Sequence, residues 1–130
     1  MKQLFLHPAM LVFLGGGTGS LLRYGLGQWL PAMLSGRPFP LAILGANMLA
    51  SAVLGAAAGA FASRLIGNDL RLLIGVGFCG GLSTFSSFSV DTLLLFQQGR
   101  PGVALLNIGL NVVLCLLASA AGFWAVLTNN

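Results

Sequence analysis

The residues able to do chemistry crowd into one stretch, Gly80-Gly81-Leu82-Ser83-Thr84-Phe85-Ser86-Ser87-Phe88-Ser89, set inside a long apolar run. Two adjacent glycines loosen the backbone, and hydroxyls compete with it for hydrogen bonds, so a regular helix is weakest here. We expect the helix to break. Carbonyls freed by such a break can coordinate a cation, provided that protein or a water-filled cavity satisfies the rest of the backbone. The plainer alternative is a Gly/Ser packing face on a continuous helix. Phe85 and Phe88 lie three apart and would share a helix face, with Ser86 and Ser87 displaced around it. Such phenylalanines are ordinarily core or lipid contacts. Their ring edges carry partial positive charge, however, and can face an anion in a dry passage.

Other polar residues sit deep in apolar runs, where burying them is expensive and marks a functional position by default. Asn47 brings an amide donor to the middle of the second run. Asn107 and Asn111 form an i,i+4 pair suited to joining helices, more so than to permeation for Asn107; Ser119 continues the stripe. Arg23 has no carboxylate in its own run, which leaves it either to attract anions or to reach the headgroups. Acidic residues are nearly absent: Asp69 falls in a loop and Asp91 towards the end of the third run. The chain is therefore poorly equipped for proton coupling. His7, near the first run's start, reads as incidental, and Cys79 and Cys115 as buried free thiols.

These residues need a scaffold, and composition says which kind. Of 130 residues 57% are hydrophobic and only 6% charged, against about 25% charged in soluble domains. That excludes a water-facing globular fold and a soluble enzyme. The net charge of +4 comes from scattered basic residues, so it signals no nucleic-acid patch. Charges and turn residues divide the chain into four apolar runs, 4–30, 40–66, 70–96 and 102–127, each long enough for a crossing of about 20 residues. The loops are Ser35-Gly36-Arg37-Pro38, Gly67-Asn68-Asp69 and Gln97-Gln98-Gly99-Arg100-Pro101. The expected fold is an all-α membrane protein with a single four-helix transmembrane domain, residues 1–130. A cleaved leader is the weaker reading of the first run, because no A-x-A site follows it and it continues to Leu30. Gly15 with Gly19, Gly16 with Ser20, and Gly55 with Gly59 suit close helix packing in lipid; they do not match a phosphate loop.

Basic residues in short loops set orientation. Lys2, Arg64 and Arg71 fall on the side of the termini, and Arg23, Arg37 and Arg100 on the other. A balanced count gives no reason to insert one way. We therefore expect dual topology and an antiparallel homodimer about a two-fold axis in the membrane plane.

GFCGGLSTFSSFS followed by Asp91, GANMLAS around Asn47, GGGTGSLLRY with Arg23, and LLNIGLN in the last run together closely resemble the Fluc (CrcB) family of bacterial fluoride channels. The likeness covers essentially the whole chain, and the third-run motif is its most specific part. It implies passive fluoride exit through the bacterial inner membrane, by an antiparallel dimer with two pores and a structural sodium ion on the central axis. Phe85 and Phe88 would be the aromatic box, Asn47 its accompanying amide, Ser86 and Ser87 the hydroxyl track, and Arg23 the basic residue at the aqueous mouth. The backbone carbonyls of Gly80 and Ser83 would hold the sodium. This chain departs from the family pattern at Ser87, where threonine is usual, at Asp91, where glutamate is usual, and at Leu114-Cys115, where a Gly-Ser pair is common. The rival class is a small dual-topology exporter of hydrophobic cations, which needs a glutamate in the first span that is missing here; a non-conducting scaffold is the other.

Overall fold

The structure is a computed structural model of the single chain, and it describes residues 7–33 and 39–129. Lys2, Arg37 and the loop 35–38 lie outside the described residues. Every described element is helical: α1 (Pro8–Met33), α2 (Leu41–Ala62), α3 (Asn68–Arg71), a π-helix (Leu72–Cys79), α4 (Gly80–Leu82), α5 (Phe85–Gln97) and α6 (Pro101–Thr128). The elements from α3 to α5 form one span, so the described residues make four long helical segments. By length and composition, Leu41–Ala62, Asn68–Gln97 and Pro101–Thr128 are apolar enough to cross a membrane. α1 has 26 residues, about 39 Å of helix at 1.5 Å each, but its glycines, Thr18, Ser20 and Arg23 make it less apolar.

Large apolar side chains point outward, among them Phe13, Tyr24, Trp29, Leu116 and Trp124, while the buried set is dominated by small residues and a few leucines. Water would not tolerate that arrangement, whereas lipid does. The protein is a multi-pass membrane protein.

Without a hydrophobic drive between helices, contact comes from close backbone approach at small residues. α1 crosses the third span glycine against glycine. A Cβ on Gly15 would strike the Leu73 carbonyl oxygen, one on Gly19 the Phe78 carbonyl oxygen, and one on Gly81 the Gly16 carbonyl oxygen. α2 and α6 share the most extensive seam. There Gly55 and Gly59 lie on the backbone of Ser119 and Phe123, and Gly122 on that of Ala52.

The helix ends are specific. α2 stops at Ala62, four residues short of where its apolar run ends, because Arg64 adopts φ 59°. The Leu65 N–H then reaches back to the Ala60 carbonyl at 2.8 Å, and the Arg64 N–H to that of Phe61 at 3.0 Å, a Schellman closure. α5 closes in the same way, with Gly99 at φ 71° and the Arg100 N–H on the Leu95 carbonyl at 3.0 Å. Pro101 then opens α6 as its first residue, where a missing N–H costs nothing.

Candidate functional site

The third span leaves helical geometry at two residues. Ser83 has φ −75°, ψ 153° and Thr84 φ −150°, ψ 121°, both extended. An interruption strands the backbone groups on either side, and each side is capped by particular side chains. On the far side Thr84 is the N-cap of α5, its Oγ1 accepting the Ser87 N–H at 3.2 Å and lying 3.3 Å from the Ser86 hydroxyl. On the near side the Cys79 carbonyl accepts the Ser83 N–H at 2.9 Å and the Ser83 hydroxyl at 2.8 Å. The Gly81 carbonyl accepts Arg23 Nε at 3.0 Å, with the Ser20 hydroxyl at 3.5 Å. Arg23 is thus half-buried against the end of a helical segment, where a cation also suits the dipole.

Asn47 holds Thr84 itself. Its Oδ1 accepts the Thr84 N–H at 2.8 Å, and its Nδ2 donates to the Thr84 carbonyl at 3.3 Å and to Asn111 Oδ1 at 3.0 Å. One side chain of α2 therefore satisfies both backbone groups of the non-helical residue.

These diversions have a consequence for two neighbouring carbonyls. The helical donor for the Gly80 carbonyl is the Thr84 N–H, which goes to Asn47 instead. The helical donor for the Ser83 carbonyl is the Ser87 N–H, which goes to Thr84 Oγ1. Both carbonyls are thereby left to seek other partners.

Two cavities flank the interruption. The smaller, about 280 Å³, is walled by Asn47, Thr84, Phe85, Phe88, Asn111 and Cys115, among others. The rings of Phe85 and Phe88 stand 5.5 Å apart, tilted by 48°, and Phe85 is 79% exposed. The larger, about 560 Å³, is bordered by Gly80, Cys79, Gly75, Ala57 and Phe61, with Arg71 stacked on the Phe61 ring at 4.8 Å. Ser51 and Ser83 belong to the walls of both.

Of the residues singled out from sequence, Asn47, Ser83, Phe85 and Phe88 meet around the smaller cavity, and Gly80 borders the larger one with Ser83. Ser86 and Ser87 face Thr84 at the α5 cap. Ser119 lies on the α2–α6 seam, its hydroxyl donating to the Ser51 carbonyl at 3.2 Å. Sequence reasoning passed over Ser51, Thr84 and Cys115 as lining residues. Two of them carried a signal, for Ser51 follows Asn47, and Cys115 follows Asn111, at the i+4 spacing that keeps side chains on one helix face. Among the described residues no cluster of His, Cys, Asp and Glu could hold a metal ion.

Fold and site define a helical membrane protein with a polar, capped interruption in its third span. The CrcB-like protein family, described as camphor resistance (CrcB), matches residues 10–123, and the chain belongs to that family. A protein named fluoride-specific ion channel FluC from Klebsiella pneumoniae (strain 342) is 44% identical over 115 residues, 87% of this chain and 88% of its own length. Its namesake in Pyrococcus furiosus is also 44% identical, over 119 residues, covering 91% and 94%. One from Escherichia coli O17:K52:H18 is 40% identical over 124 residues, covering 92% and 93%.

Proposed function

We propose that this chain is a fluoride channel, a passive conductor and not an enzyme, working as an antiparallel, dual-topology homodimer with two pores in the bacterial inner membrane. The observation that carries the reading is the smaller cavity, where the paired rings of Phe85 and Phe88 stand beside the Ser83–Thr84 interruption.

Fluoride is small and holds its water tightly, so a selective passage must replace that shell with closely spaced donors and positive ring edges that release the ion again. Ring edges from Phe85 and Phe88 and hydroxyls at Ser86 and Ser87 supply partial charges and no full countercharge. Asn47 first holds Thr84 in place; it contacts the anion when Nδ2 leaves the Thr84 carbonyl, the longest of its three bonds. Arg23, and Ser119 further along the α2–α6 seam, belong to the approaches on either side.

A structural sodium ion fits the carbonyls of Gly80 and Ser83. Both have lost their helical donors, and both edge the larger cavity. A hard monovalent cation needs only such neutral oxygens, and two subunits about a two-fold axis would offer four. When bound it supplies a fixed positive charge beside the pores.

The test is efflux from liposomes holding the purified chain. Fluoride should leave and chloride stay, and Phe85→Ile or Phe88→Ile should each cut fluoride flux by tenfold or more without altering elution of the protein. Equal loss of both halides, or full flux in both variants, rejects the reading. A C-terminal reporter should appear on both faces of the membrane; a one-sided signal rejects dual topology.

A further inference from the structure

The amides around Asn47 continue into a longer chain of hydrogen bonds. The Thr84 N–H donates to Asn47 Oδ1 (2.8 Å), Asn47 Nδ2 to Asn111 Oδ1 (3.0 Å), Asn111 Nδ2 to Asn107 Oδ1 (3.0 Å), Asn107 Nδ2 to Thr92 Oγ1 (3.0 Å), and the Thr92 hydroxyl to the Phe88 carbonyl (2.7 Å). Every link donates in the same sense, so each polarises the next. The chain leaves the interruption, crosses from α2 to α6, and returns to α5 one turn beyond the ring of Phe88.

Its far members are hidden. Asn107 has no exposed surface, Thr92 is 7% exposed, and neither borders the cavity beside the rings. Neither can touch a permeating ion there. Yet the two ends of the chain are the backbone of Thr84 and the backbone of Phe88, which frame that cavity. Asparagine suits the inner positions because each must accept through oxygen and donate through nitrogen at once.

We propose that Thr92 and Asn107 are positioning residues for permeation: the one-way chain they complete fixes the Phe88 turn of α5 against the Ser83–Thr84 interruption. The inference rests on the conducting site proposed above. Simple helix glue would govern how much protein folds. Positioning governs how well each folded protein conducts.

The experiment is fluoride flux per reconstituted protein, with chloride as the competing halide and gel-filtration elution as the folding control, for wild type, Thr92→Val, Thr92→Ser and Asn107→Leu. Valine matches threonine in shape but cannot donate to the Phe88 carbonyl; serine can. Leucine is close to Asn107 in size but has no donor for Thr92 Oγ1. We expect Thr92→Val and Asn107→Leu to lose about fivefold or more in flux per protein, the scale of one net hydrogen bond, and Thr92→Ser to stay within about twofold of wild type. Wild-type flux per folded protein in Thr92→Val overturns the proposal, and so does an equal loss in Thr92→Ser. A wild-type chain that conducts no fluoride removes the conducting site as well, which is a different result.

Discussion

Three neighbouring glycines of α1 should answer to alanine with opposite signs. At Gly15 an added Cβ meets the Leu73 carbonyl oxygen, with the Phe78 nitrogen at 2.8 Å and the Gly77 Cα at 3.0 Å. At Gly19 it meets the Phe78 carbonyl oxygen, with the Leu82 nitrogen at 2.8 Å. All of these are backbone atoms, so no side chain can rotate aside and α1 must withdraw from the third span. Overpacking of a fitted contact costs roughly 1–3 kcal/mol, and a rigid backbone neighbour places both sites near the upper end, about 2–3 kcal/mol each. Gly17, between them, has nothing within 4 Å of its Cβ position. Alanine there only removes unfolded-chain freedom and should stabilise by about 0.5–1 kcal/mol. The contrast is about 3 kcal/mol, on the order of 10 °C in Tm. Thermal unfolding of the detergent-purified variants measures it, with fluoride flux as a second readout. A Gly15→Ala protein as stable as wild type, or a Gly17→Ala protein as damaged as Gly19→Ala, refutes the backbone-contact argument.

Asn47→Leu strips both backbone partners from Thr84 and one from Asn111; at 1 kcal/mol or more per orphaned group, about 3 kcal/mol is lost, and flux should fall more than tenfold. Retained flux with unchanged Tm speaks against the clamp. Arg64→Gly relieves a left-handed non-glycine residue and should raise stability by about 1 kcal/mol, with Arg64→Asn moving Tm less in the same direction. Arg23→Lys keeps the charge but not the planar Nε that caps the Gly81 carbonyl; we expect about 1–2 kcal/mol lost, and an unchanged Tm would mean that charge alone matters.

Much of this molecule could be read from local pattern, because lipid imposes long apolar runs and glycine, proline and charge punctuate them. That Gly55 and Gly59 mark a close helix contact followed from spacing alone, as did the pairing of Asn107 with Asn111, but that α6 is the glycines' partner did not. Where α2 ends did not follow. Ser63 to Ile66 look no less helical than what precedes them, and the stop depends on Arg64 adopting a backbone form that arginine seldom takes. The Asn47 clamp was equally hidden. Residues 80–89 read as weak helix, but their partner lies 37 positions upstream, and no window on the sequence joins the two. Thr92 gave no sign at all, since a threonine in an apolar helix usually bonds its own preceding turn. It does so here, and its second bond, from Asn107, exists only because α6 folds back alongside.

Ser51 and Ser83 border both cavities, so the partition between them is a single residue thick at that point. Across roughly 6 Å of partly buried protein, one unit charge acts on another with about 3 kcal/mol, near two powers of ten in occupancy. A cation resting in the broader chamber would thus set how readily an anion lodges in the narrower one, though the two never share a compartment. Salt composition would then tune throughput by way of a wall.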